Sequence, residues 1–200
     1  MAPTPTHLPH PWHGLPLGDD APNIVHAFIE MTPGDNVKYE VDKESGYIIV
    51  DRPRRYSSQL PMIYGFVPRT YCAERVAALS DQAEVGDHDP IDICVFSERP
   101  IQRANILLKA RIVGGLHMVD GGEADDKLVA VLDGDLAWGD VTTLDQLPAC
   151  AVERLRHYFL TYKEVPGEGE AEVTIDDVYG VQRAQEVLEA SMADYETHYG

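Results

Sequence analysis

The stretch V85-G-D-H-D-P-I-D-I-C-V-F96 sets three aspartates, Asp87, Asp89 and Asp92, within six positions and against an apolar run. Ile91 to Phe96 has the residue types of a buried strand, so acid is placed at the very end of a core element. Pro90 fixes its own φ and holds Asp89 in an extended conformation. Carboxylates gathered there repel one another, at a cost to stability that cations between them would relieve. An EF-hand loop is excluded, because counting from Asp87 the fourth residue is Pro90 and the sixth, where glycine is required, is Asp92. Two readings remain: a solvated acidic turn with Asp87 as a cap, or a site for divalent ions. Oxygen-only side chains without a neighbouring His/Cys set suit Mg2+ or Mn2+ rather than zinc. The stretch D120-G-G-E-A-D-D-K127 supplies a second acidic group, Asp120 and Asp125, followed by Lys127.

Charge narrows the partners. With 34 acidic against 16 basic residues the net charge is -18, which repels nucleic acid and anionic membranes and attracts cations. Cys72, Cys94 and Cys150 are odd in number and widely spaced, as expected of reduced thiols in a cytoplasmic protein. No apolar run approaches a membrane span, and the N-terminus shows no export signal.

Residues 1–22 carry six prolines and read as an extended arm, with 23–200 as a single domain. His7, His10 and His13 recur at three-residue spacing, but prolines exclude a helix there, so the spacing is expected to align nothing. Strands are expected at Ile24–Glu30, Val37–Val41, Tyr47–Arg52, Ile91–Phe96, Ile106–Val113 and Leu128–Leu132, with a hairpin turning at D42-K-E-S-G46. After Pro148 the period changes. Ala151, Leu155, Tyr158, Phe159 and Tyr162 predict one helix, and Val178, Val181, Ala184, Leu188, Met192 and Tyr195 predict a second. Between them the run from Pro166 to Val173, PGEGEAEV, reads as a polar loop. Strands followed by helices make an α+β arrangement.

The strands also carry charge of both signs. Lys38 and Glu40 project from one face of V37-K-Y-E-V41, while Glu30, Asp51 and Arg52 stand at strand ends and Lys163 follows Tyr162. Such charges facing inward would be costly unless they served a charged ligand. An anion held by Lys and Arg and bridged to carboxylates by metal ions satisfies both sets, which is a phosphate site.

Taken in order, F28-I-E30, V37-K-Y-E40, V50-D-R52, Y64-G-F66, D87-H-D-P-I-D92, Asp120 with Asp125 and Lys127, and Y162-K163 resemble the motifs of family I soluble inorganic pyrophosphatases. The resemblance runs from Trp12 to about Tyr195. It implies a five-stranded OB-like β-barrel with two C-terminal α-helices, and hydrolysis of pyrophosphate to two phosphates by metal-activated water with several Mg2+ ions. It further implies that Asp87, Asp89 and Asp92 ligate a metal pair, with Asp120, Asp125 and Glu30 completing the set. Asp89 would take the proton of the attacking water, Glu40 would support the metals and Tyr64 would hydrogen-bond near the nucleophile. Lys38, Arg52, Lys127, Tyr162 and Lys163 would grip phosphate. A homo-oligomer is expected. The chain departs from the family pattern at His88, expected to be exposed, at Leu60, where a tyrosine is frequent, and at Gly121. Bland readings stand beside these roles: Lys127 as a solvated lysine, Glu40 as a surface partner of Lys38, Tyr64 and Tyr162 as core. A catalytically silent metal-binding protein on the same fold is the alternative function. An OB-like nucleic-acid binder would need a basic groove, which the net charge opposes.

Overall fold

The computed structural model describes residues 8–53, 58–163 and 173–200. His7, and the expected polar loop ahead of Val173, lie outside them. In chain order come β1 (Ile24–Met31), β2 (Val37–Val41), β3 (Ile48–Pro53), β4 (Ile63–Phe66), α1 (Glu74–Ala77), β5 (Val85–Gly86) and β6 (Asp92–Phe96). Then follow β7 (Ile106–Asp120), β8 (Glu123–Ala124), β9 (Lys127–Leu132), α2 (Ala149–Thr161), β10 (Val173–Gly180) and α3 (Val181–Tyr199).

Strands pair in the order β1-β4-β6-β9-β7, and β7 returns to β1, giving the OB-like ring of five strands. The β6–β9 pair is parallel and sets Asp92 beside Lys127. Both faces of these strands are covered, which is why they read as apolar runs rather than as alternating ones. On β6 and β9, Ile93, Val95, Leu128 and Ala130 face the cluster that receives Ala184, Val187 and Leu188 of α3. Their neighbours Cys94, Val129 and Val131 face the cluster that receives Leu155 and Phe159 of α2. Gly65 sits where β1 crosses closest, since a Cβ there would lie 1.8 Å from the carbonyl oxygen of Phe28.

The hairpin forms as expected, with Val41 opposite Ile48, and makes a separate two-stranded sheet over the ring. Three expectations are corrected. First, β7 does not stop at Val113 but bends through Gly114 and Gly115 and runs on to Asp120. A side chain at Gly115 would meet the Tyr179 ring, so glycine lets β10 approach. Second, Val178 belongs to β10, opposite Leu116, and not to the last helix. Third, residues 8–22 do not stand off as an arm. Trp12 is buried, 3% exposed, and its indole N–H donates to the Thr70 carbonyl at 2.8 Å. The turn closed by Gly14 N–H on the His10 carbonyl brings the His10 and His13 rings to 4.9 Å, the alignment that the prolines were expected to prevent.

Candidate active site

A cavity of about 560 Å³ opens between the β2–β3 hairpin, the ring and the end of α2. Every site residue expected from the sequence lines it. Glu30 comes from β1, Lys38 and Glu40 from β2, Arg52 from β3 and Tyr64 from β4. Asp87 and Asp89 stand in the loop between β5 and β6, and Asp92 opens β6. Asp120 ends β7, Asp125 precedes β9, Lys127 opens it, and Tyr162 and Lys163 follow α2.

The acidic loop is stitched down by its backbone. Asp89 N–H donates to Asp87 Oδ1 at 3.0 Å, and Cys72 makes backbone hydrogen bonds with both His88 and Asp89. His88 takes a left-handed conformation, φ 62°, which is uncommon for a residue other than glycine. The side chain is exposed, as expected, with Nδ1 2.9 Å from the Tyr71 hydroxyl.

Opposite charges interleave on the cavity wall. Lys127, only 2% exposed, reaches both Asp92 and Asp125, so the solvated-lysine reading fails. Lys38 Nζ lies 2.8 Å from Glu40 Oε2 and 3.1 Å from Asp51 Oδ2, so the surface-pair reading of Glu40 describes its contact. Lys163 pairs with Asp120, and Lys43 with Asp89. Glu30 accepts the Val41 N–H at 2.7 Å, and burial, reinforced by Asp92 and Glu40, pushes its carboxyl up to about 8. Burial likewise raises Asp87, with Asp125 and Asp92 adding to it. Asp125 is raised by burial and Asp92, against the pull of Lys127. Burial would lower the ammonium of Lys127, but Asp125 and Asp92 outweigh it and hold it well above its usual value. Tyr64 and Tyr162 are pushed up by burial and keep their protons.

These carboxylates are short of positive charge, and their donors are all oxygen, which suits a hard divalent cation. Among the described residues no three His, Cys, Asp or Glu side chains converge as the ready shell of one ion; lysine ammoniums lie against the carboxylates instead.

Sequence reasoning passed over two residues. Lys43 sat in a stretch read only as a turn, with no motif to mark it. Asp126 alternates with its neighbours: Asp125 and Lys127 face the cavity, while its own carboxylate turns inward to the Tyr179 hydroxyl at 2.9 Å and the Met118 N–H at 3.3 Å. Asp126 lies just ahead of β9, and its inward turn continues backwards the alternation of the strand that opens at Lys127.

The profile of the inorganic pyrophosphatase family matches residues 27–196. The chain belongs to the inorganic pyrophosphatase family. It is 41% identical to the inorganic pyrophosphatase of Chlamydia trachomatis serovar L2 over 98% of both chains. It is 43% identical to that of Chlamydia caviae, over 93% of this chain and 90% of the relative. Among solved structures, the inorganic pyrophosphatase of Thermus thermophilus superposes with a TM-score of 0.79 at 30% identity, covering 94% of this chain and 99% of the other. Of the departures from the family pattern, Leu60 lines the cavity, buried at 2% exposure, and brings methyl groups to that wall instead of a hydroxyl. Gly121 lies in the turn after β7 with φ 60°, a conformation that glycine adopts without strain.

Proposed function

We propose that this chain hydrolyses inorganic pyrophosphate to two phosphates, using divalent metal ions with Mg2+ foremost and Mn2+ as a substitute. Family membership supports the reaction. The observation that carries the reading is the shared cavity in which the carboxylates of Glu30, Asp87, Asp89, Asp92, Asp120 and Asp125 face Lys38, Arg52, Lys127 and Lys163. A site for pyrophosphate alone would need no such acid, and a metal site alone would need no such cations.

The six carboxylates would hold the metal ions. When bound, these ions supply charge neutralisation for the phosphates and lower the pKa of a coordinated water. Asp89, half exposed at the rim of the cavity and paired there with Lys43, would accept the proton of the attacking water. Glu40, beside Lys38, supports the metal-holding carboxylates from β2. Tyr64 keeps its proton beside Asp92, so its hydroxyl can donate within the site. Lys38, Arg52, Lys163 and the Tyr162 hydroxyl orient the two phosphates, and Lys127 stabilises charge as it moves to the departing one. The three free cysteines favour a reducing, cytoplasmic setting, and among the described residues no helix is long and apolar enough to cross a membrane. A homo-oligomer remains part of the proposal.

The test is release of phosphate from pyrophosphate with Mg2+, with a chelator arm. Rapid release that the chelator abolishes is expected. A folded chain that binds Mg2+ but releases no phosphate would favour a silent metal-binding protein.

A further inference from the structure

Lys43 is a cavity residue for which neither the chain's motifs nor the proposed mechanism has a use. It stands in the turn joining β2 to β3, whose shape is set by the Asp42 carboxylate accepting from the Ser45 N–H at 2.8 Å and by Gly46 at φ 73°. The hairpin is a separate sheet, and the Lys43 ammonium crosses from it to Asp89 on the opposite wall. The pair is half exposed, with side-chain exposures of 48% and 38%. It lies at the cavity mouth, within the field of Glu40 and Asp87 as well.

Asp89 cannot serve this ammonium and a divalent ion equally well. A carboxylate oxygen in contact with a lysine must exchange that partner for the incoming cation, and the two cations repel each other if both remain. We propose that Lys43 is a positioning residue: an internal counter-ion that holds Asp89 in the metal-free chain and must be displaced when a divalent ion takes it. The inference rests on the functional reading above. Lys43 thereby sets how tightly metal is held, because metal affinity is reduced by the free energy of the pair it breaks.

The test is calorimetric titration of Mn2+ into the chelator-stripped full chain, comparing wild type with K43M, K43Q, K43R, D89N and the K43M/D89N double variant. An exposed pair is weak, so K43M and K43Q should bind the first Mn2+ roughly two- to fivefold tighter, with K43R close to wild type. In the D89N background, removing Lys43 should leave affinity unchanged. A lysine that merely braces the hairpin would do the opposite, since its loss would loosen the cavity and weaken Mn2+ binding. Unchanged or weaker binding in both K43M and K43Q overturns the inference, as does an equal tightening in D89N, which would reveal a general field effect. A wild-type chain that binds no Mn2+ overturns the functional reading together with this one. Normal wild-type binding and hydrolysis with unaltered affinity in K43M overturns this one alone.

Discussion

Lys127 is an ammonium buried to 2% exposure between Asp92 and Asp125, and its removal would strand two carboxylates away from water. Breaking a buried pair in this way costs about 3–5 kcal/mol. Lys127→Met should therefore lower the melting temperature of the metal-free chain and also reduce kcat/KM by about 10²-fold or more, because the same ammonium acts where charge develops. Thermal melts and steady-state pyrophosphate hydrolysis read the two effects separately; a wild-type melt would mean that the pair is not formed. Asp89→Asn replaces a proton acceptor by an isosteric amide on a half-exposed carboxylate, so the fold should survive while turnover falls by roughly 10²–10⁴-fold. Near-normal turnover in a folded variant would remove Asp89 from the reaction.

Elements are tied to one another by single buried groups. Asp194 of α3 is fully buried and accepts the N–H groups of Ala73, Arg75 and Val76 at the start of α1, and Arg75 Nη1 lies 2.9 Å from its Oδ1. A helix of four residues cannot stabilise itself, so this carboxylate is what holds α1 in place. Asp194→Ala should cost about 3 kcal/mol, read as a lower denaturant midpoint, with hydrolysis well below the transition close to wild type. An unchanged midpoint would show that α1 is held by its apolar contacts. At this scale the sequence was legible where a period was unambiguous, as in the β2–β3 hairpin and in α2. It misled at Val178, which lies three residues before Val181 and so continues the helical pattern backwards; pairing with Leu116 of β7 overrides that local signal.

Across the whole molecule most of the charge of -18 lies outside the cavity, whose described lining sets eight carboxylates against five basic side chains, yet there burial and repulsion already raise several carboxylates. Divalent ions that bind only the folded chain should stabilise it by mass action, about 2.7 kcal/mol at one hundred times Kd. For a chain of this size that corresponds to a rise in Tm of about 5–10 °C with Mg2+, well beyond the effect of NaCl at equal ionic strength. Equal shifts from both salts would mean general screening and no metal site.

The chain's own order of residues did not determine β4, β10 or the second half of β7. It did determine the β2–β3 hairpin, the apolar runs of β6 and β9 that both helices cover, and most of the charged groups in the cavity. Those follow from local periodicity, from the dihedral limits of Pro90 and from the chemistry of each side chain. Tertiary structure alone decided that Lys127 is buried between Asp92 and Asp125, that Trp12 closes the N-terminal segment onto the core, and that Lys43 meets Asp89 across the cavity mouth. Apart from Lys127 with Asp125, two residues away, these contacts join elements distant in sequence, and strand register sets which side chains meet. A slip of one residue in β6 against β9 would turn every partner to the other face, and no local pattern records that choice.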